Sequence, residues 1–372
     1  MKKLISILGL LLILGCEPFV TEFPDTSVAV LYEATSKSNE TYNGDNIKVV
    51  TWNIRFGIAR FPFFGDSCGD SVILDDATIE KNMAAIADSL NAMDADIVLL
   101  QEVDVSSKRT GYMDQVQYLL DYTNLNYGCY ASMWKADFIP SDGIGRIDAG
   151  NAILSKYEMP DAEAERIQLQ LRTDQDGLTQ YFYLRRNIVK AKIPALAQGE
   201  KDLFAVNIHA TAFATDDTKQ KHIDTYVETL SDIHSSGALF VTGGDLNSVP
   251  PGSVTDFCLS DMCEGEDFHT EEAEKYHREG SYFENFEGEP DILLPLYNAY
   301  DAAINVSNAN LDIHLTHGPS TSYEMNDIKY DRKLDYLFTN GIWKNTSSKT
   351  HQAAWELSDH LPVSAVLNLG GE

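Results

Sequence analysis

Residues 358–363 read SDHLPV. An acid and an imidazole, Asp359 and His360, stand side by side, with Ser358 before them and Leu361-Pro362 after. The stretch LPVSAVLNL (361–369) is mostly apolar and bounded by Gly370-Gly371, so the pair sits at the mouth of what reads as the last strand. Most Asp-His pairs are surface coincidence. This one matters only if other strands also end in polar residues.

Working outward, they do. IKVVTWNI (47–54) and ADIVLLQEVD (95–104) read as buried strands, and GNAILS (150–155), YLRRNIVKAKI (183–193), DLFAVNIHAT (202–211), ALFVTGGDLN (238–247) and KLDYLFTN (333–340) as further strands. Asn53 closes the first, Glu102 the second and His209 the fifth; Asp245 and Asn247 follow the sixth, and Asp335 opens the run DYLF. A carboxylate set after a run of Val, Ile and Leu is costly unless a cation or a hydrogen-bond network compensates it. One such residue can be a satisfied structural acid; five or more at the same kind of position point to a common site.

Two helices separate these strands. TIEKNMAAIADSLNAM (78–93) places Ile79, Met83, Ile86, Leu90 and Met93 on one face. TKQKHIDTYVETLSDI (218–233) does the same with Ile223, Val227, Leu230 and Ile233, leaving His222 and His234 expected at the surface. Neither a repeat nor a Gly/Ser linker divides residues 47–372, so one domain is expected, with two sheets packed face to face and helices outside. Two insertions, Gly57–Asp76 and Pro250–Pro295, follow strand ends and would shape a pocket.

The N-terminus is of another kind. MKKLISILGLLLILGC has two lysines, an apolar run and a final Gly15-Cys16, the pattern of a secretory signal too short to span a bilayer comfortably. Residues 1–16 are read as a lipoprotein signal with Cys16 as the lipidated residue, and residues 17–46 as a flexible tether holding at most the short strand SVAVLYE (27–33). The body is then expected outside the cytoplasm, anchored to a bacterial membrane at the periplasmic or cell-surface side, as a monomer. Cys68, Cys129, Cys258 and Cys263 remain, an even number suited to an oxidising compartment, and Cys258 with Cys263 could close a small loop.

Net charge is −29, with no basic run denser than Arg185-Arg186 or Asp331-Arg332-Lys333. Such a field repels polyanions and argues against a nucleic-acid partner.

The polar set suits hydrolysis of a phosphate ester. Mg²⁺ takes oxygen ligands, typically one or two carboxylates plus substrate phosphate, and Glu102 and Asp359 are the acids best placed by type. His360 can take a proton from water if a carboxylate fixes its tautomer. His209 can donate to a phosphoryl oxygen, and Asn53 and Asn247 orient phosphate or water without adding charge.

VVTWNIRFG, IVLLQEVD, GNAILS, VNIHAT, GGDLNSVP, KLDYLF and SDHLPV resemble, in order, the motif series of the endonuclease/exonuclease/phosphatase superfamily, over roughly residues 47–370. The resemblance implies an α/β fold of DNase I type: a four-layered sandwich of two packed, mainly antiparallel sheets flanked by helices, with the site at one end. It implies Glu102 as principal Mg²⁺ ligand with Asn53 alongside, Asp359 as the second acidic metal residue, and Mn²⁺ or Ca²⁺ as substitutes. Asp245 and Asn247 would orient water and phosphate, His360 would be the catalytic histidine paired with Asp335, and His209 would contact the phosphoryl group. A small or lipid-derived phosphate ester is the expected substrate. A surface nuclease is the alternative. Arg55 and Arg186 could hold phosphate. His314 and His317 are read as a loop feature, the aromatics of RFPFFGDSCGD (60–70) as packing of their insertion, and Tyr323 as a wall of the leaving-group pocket.

Overall fold

A computed structural model describes residues 19–38, 42, 44–64, 69–212, 214–253, 291–318 and 330–370. The proposed leader and Cys16, the Cys258–Cys263 pair and Tyr323 lie outside the described residues.

Fifteen strands among these residues form two sheets. They are β1 (Thr26–Val28), β2 (Val30–Glu33), β3 (Asn46–Asn53), β4 (Ile97–Asp104), β5 (Tyr127–Ile139), β6 (Gly145–Ser155), β7 (Ala164–Gln168), β8 (Asn187–Lys192), β9 (Leu203–His209), β10 (Leu239–Asp245), β11 (Asp301–Ala302), β12 (Asp335–Thr339), β13 (Ile342–Trp343), β14 (Lys349–Thr350) and β15 (Val363–Asn368). One sheet runs β13-β15-β3-β4-β6-β5-β2, with β14 also on β15; the other runs β1-β7-β8-β9-β10-β12-β11. Pairing is antiparallel except for β3 with β4 and β9 with β10.

Each parallel pair needs a crossover, and each has a helix: α1 (Asp76–Met93) joins β3 to β4, and α4 (Thr218–Ser235) joins β9 to β10. The shorter helices are α2 (Gln115–Tyr122), α3 (Gly177–Phe182) and α5 (Leu294–Ala299). Helix α1 starts where the Asp75 side chain accepts from Thr78 N, and it buries Ile79, Met83, Ile86, Leu90 and Met93, the face the spacing predicts.

Three apolar clusters make the layers. Val50, Trp52, Val98 and Leu100 meet α1 on the outside of the first sheet. Ile47, Val49, Ile97, Leu99, Leu203, Ala205 and Val241 fill the space between the sheets. Val206, Ile208 and Phe240 meet Ile223, Tyr226 and Leu230 of α4 outside the second. The result is the four-layered α/β sandwich expected.

Two expectations need correcting. The segment 17–46 is more than a tether: β1 pairs with β7 and β2 with β5, so neighbouring stretches of one short segment close an edge of each sheet. Its alternation is too short, and its exposed positions include Val28 and Val30, so the pattern does not announce two edge strands in sequence. His222 is buried instead of lying at the surface, because α4 packs it against the chain at Gln170 and Thr211. Phe63 of the first insertion joins the core, with Phe61 and Phe64 packed against it. Cys129 is free and buried.

Candidate active site

The two parallel pairs decide where the site lies. Parallel strands finish at the same edge, so Asn53 of β3, His209 of β9 and Asp245 of β10 come together from strands of both sheets. Along the facing sides of the sheets the residues change character toward that edge. Apolar Ile47, Val49, Ile97, Leu99, Leu203 and Ala205 give way to Thr51, Gln101 and Asn207. Gln101 Nε2 donates to Thr51 Oγ1 (3.2 Å) and Asn207 Oδ1 (2.7 Å), a polar floor under the site.

Glu102 breaks the alternation. Val98 and Leu100 face the helices, so regular pleating would send Glu102 that way too. Instead β4 carries a bulge: Leu100 pairs with Ala152 and Val103 with Gly150, so Gln101 and Glu102 oppose Asn151 alone. Glu102 sits at φ +55°, a left-handed conformation uncommon for a non-glycine residue, and its carboxylate turns into the site. Gly243-Gly244 serves the same edge. A Cβ on Gly244 would lie 1.8 Å from Ile208 O, and one on Gly243 2.2 Å from Tyr336 O, so β10 approaches both neighbours only because it carries no side chain there.

The remaining members arrive on strands running the other way. Asp335 opens β12 directly opposite Asp245. Asp359 and His360 precede β15, whose Val363 pairs with Thr51. Ser358 locks that turn: its Oγ donates to Asn53 O (2.8 Å) and accepts from His360 N (3.1 Å). Trp52 Nε1 donates to His360 O (3.1 Å).

The polar groups form one network. His360 Nδ1 meets Asp335 Oδ2 at 2.9 Å, and its Nε2 lies 3.7 Å from Asp245 Oδ2. His209 Nε2 lies 3.3 Å from the same Asp245 oxygen and 3.8 Å from Glu102 Oε1. Asn53 Nδ2 donates to Glu102 Oε1 (3.2 Å) and Asp245 Oδ2 (3.1 Å), while its Oδ1 accepts from Arg55 N (3.0 Å). Asn247, at φ +47°, donates from its backbone to Asp245 Oδ1 and from Nδ2 to Ala210 O. Asp359 Oδ2 lies 3.3 Å from Arg55 Nε.

Burial and mutual charge set the protonation states. Burial, then Asp359, raises Glu102 to about 7; a fifth of its side chain reaches solvent, which makes that value an upper bound. Burial lowers His209 to about 4, leaving a neutral ring. Burial also disfavours charge on His360, but Asp335, Asp245 and Asp359 outweigh it and carry the imidazole up to about 10. Burial opposes ionisation of Asp245, yet His360 and His209 hold it ionised, well below the usual carboxylate range. Arg55 and His360 likewise keep Asp359 low against its burial.

Two residues stand out beside those named from motifs. Arg186, at the entrance of β8, is 8% exposed, and its Nε and Nη1 are buried without an acceptor among the described residues. Its charge acts on both Glu102 and His209. His317 is equally buried and sets its ring 4.7 Å from that of His360, edge to face. Sequence gives His317 no motif; what it did show was a histidine on the approach to the DYLF strand. Tyr323 cannot be placed, and His314 lines a separate cleft of about 380 Å³ with Asp301, Asn305 and Asn308.

Residues 50–360 match the Endonuclease/Exonuclease/phosphatase family, and the chain belongs to it. Members of this family hydrolyse phosphoesters and typically depend on a divalent metal. No curated protein matches. Among solved structures, the chain is similar to the endonuclease/exonuclease/phosphatase from Beutenbergia cavernae DSM 12333 (16% identity, 88% of this chain and 72% of that one, TM-score 0.55). It is also similar to the endonuclease/exonuclease/phosphatase from Bacteroides vulgatus (16% identity, 87% and 99%, TM-score 0.51). At these identities the likeness is one of fold.

Proposed function

We propose that the protein is a Mg²⁺-dependent hydrolase of a small or lipid-derived phosphate ester, acting outside the cytoplasm. The observation that carries this is the His360–Asp335 pair facing Asp245, His209 and Glu102 across one edge of the sandwich.

The donor set fits a hard divalent ion. Glu102 and Asp359 offer carboxylate oxygens, and Glu102 is held by a single neutral donor, Asn53, at a position where burial disfavours its charge. In this arrangement Asn53 steadies Glu102 with its amide NH₂ and gives its oxygen to Arg55 N. When bound, the cation would offset the carboxylates that keep His360 protonated and neutralise charge developing on the phosphoryl oxygens.

The chain's own groups supply the rest. Asp335 fixes the His360 tautomer and leaves Nε2 directed at the cleft, where it takes the proton of an attacking water. Asp245 holds His209 and is held in turn by the Asn247 backbone, which fixes where that water and the phosphate stand. Arg186, whose Nε and Nη1 have no acceptor among the described residues, supplies a fixed positive charge for the anionic substrate.

The acidity of the chain supports a small substrate over a nucleic acid, and the leader with Cys16 supports a lipid anchor. The test is hydrolysis of bis-p-nitrophenyl phosphate, p-nitrophenyl phosphate, sphingomyelin, inositol phosphates and plasmid DNA, with Mg²⁺ and with chelator. Chelator-sensitive turnover of a small or lipid ester without DNA cleavage is expected. DNA cleavage alone would make the protein a nuclease.

A further inference from the structure

His317, Asp359 and His360 each bring one ligand-type atom within 4.8 Å of the other two. We propose that these three residues form a second metal site, selective for a borderline transition ion such as Zn²⁺, whose occupation takes His360 out of the hydrolytic machinery.

His317 is the residue that the hydrolytic network leaves unused. It is 9% exposed, and its Nδ1 is buried with no hydrogen-bond partner among the described residues. A buried imidazole nitrogen without a partner is costly unless something outside the chain meets it. Its place is set by backbone, not chance: His317 bridges both Arg332 and His360, Gly318 N donates to Asp359 O (3.1 Å), and Leu361 N donates to Thr316 O (2.7 Å). The Thr316–Gly318 segment is thus tied to the Asp359–His360 turn on either side.

His360 is oriented as a ligand, the ion taking the place of the proton that its carboxylate neighbours otherwise hold on Nε2. Its Nδ1 is engaged by Asp335, which leaves Nε2 as the coordinating atom and reproduces the carboxylate–histidine–metal arrangement that orients ligating imidazoles. Asp359 brings Oδ1, since Arg55 Nε already meets Oδ2 (3.3 Å), and because the proposed Mg²⁺ position also draws on Asp359, the two ions share or contest this carboxylate. Two imidazoles and one carboxylate oxygen, with a fourth position left for water, suit Zn²⁺; Mg²⁺ wants an all-oxygen shell. The charges of Arg55, Arg60 and Arg332 near these residues oppose any cation there, so a weakly competing ion such as Mg²⁺ is excluded more readily than one that bonds strongly to imidazole.

The site stands on these residues alone. Its inhibitory consequence rests on the hydrolase reading, because a metal on Nε2 removes the base.

The experiment uses the full-length chain, purified in detergent and stripped with chelator. Co²⁺ serves as the spectroscopic probe, and Zn²⁺ as competitor and as calorimetric titrant. Expected is one equivalent of Co²⁺ with a visible ligand-field band, displaced by Zn²⁺. His317→Gln should weaken Zn²⁺ binding by at least about 100-fold, the upper end of what losing only an outer-shell partner costs, while Glu102→Gln leaves it within about threefold. His317→Asn serves as a second variant, and melting curves check folding of each. Zn²⁺ added to the Mg²⁺-supported reaction should inhibit, and the inhibiting concentration should rise in His317→Gln in step with its lost affinity. Absence of Zn²⁺ binding by wild type would overturn the proposal. So would equal affinity in folded His317→Gln, or loss in Glu102→Gln, which would put the ion at the magnesium position. Zn²⁺ binding in a protein that hydrolyses nothing would leave the site standing and sink only the hydrolase reading.

Discussion

At the scale of single residues, Arg186 shows function set against stability. Other buried arginines among the described residues are held by side-chain bonds, though Arg109 and Arg166 each leave Nη1 without an acceptor: Arg109 grips Asp104 through two 2.8 Å bonds, Arg166 reaches Ser132 O and Arg185 O, and Arg55 meets Asp359. The neighbouring Arg185 pairs with Glu22 at 2.6 Å. In a chain with 57 acidic residues, Nε and Nη1 of Arg186 find no acceptor among the described residues, which under the proposed function leaves them for the anionic substrate. Removing an uncompensated buried charge should stabilise the fold, so Arg186→Met should raise unfolding free energy by about 1–3 kcal/mol while raising KM for the phosphoester. Urea unfolding and steady-state kinetics on one preparation check both; a variant less stable than wild type would show that Arg186 is structural. Most of the candidate set was legible because each residue ends or opens a strand whose apolar run is unmistakable. His317 was not, because its meaning depends on a contact with His360 across 43 positions of chain.

At the scale of elements, the two βαβ crossovers organise the site. Their strands and helices were readable from β-branched runs and from period-3.6 faces. The bulge at Glu102 was not, since QEVD carries neither Gly nor Pro to announce a left-handed residue. Nor was the burial of His222, whose helical position looks like a solvated one. There the Thr211 N–H donates to Nδ1 (3.1 Å) and Nε2 meets Gln170 O at 2.7 Å, a pattern that only the neutral ring satisfies. Burial accordingly depresses its pKa to about 3. The unfolded chain takes up the proton near pH 6.5 and the folded one does not, so stability is full above 6.5 and falls as pH drops toward 3. From this group alone, stability should fall by about 1.4 kcal/mol between pH 7.5 and 5.5. Urea midpoints at the two pH values should show a smaller loss in His222→Gln than in wild type; equal losses would contradict the neutral assignment.

At the scale of the whole molecule, charge and topology pull in different directions. The fold gathers His360, Arg55 and Arg186 at one edge, while the net charge of −29 surrounds them with a repelling field. Salt screens that repulsion. KM for an anionic small ester should therefore stay level or fall as NaCl rises from about 50 to 200 mM, whereas a protein making six to ten phosphate contacts to duplex DNA loses about 10³–10⁵ in affinity over that range. A steep rise in KM with salt would point to a polyanionic substrate. The sandwich itself was readable from the order of strands and helices. SVAVLYE was readable as a short strand, but not its division into β1 and β2 closing both sheet edges, because strands of three and four residues carry too little pattern to show two pairings.

The central claim is that His360, oriented by Asp335, is the base of a metal-supported phosphoester hydrolysis. It is tested most directly by Mg²⁺-dependent turnover of bis-p-nitrophenyl phosphate in wild type, His360→Ala and Asp335→Asn, each with its melting temperature. Both variants should lose about 10²–10⁴ in kcat, the range of general acid–base catalysis, while remaining folded. A folded His360→Ala that turns over within a few-fold of wild type would contradict the account.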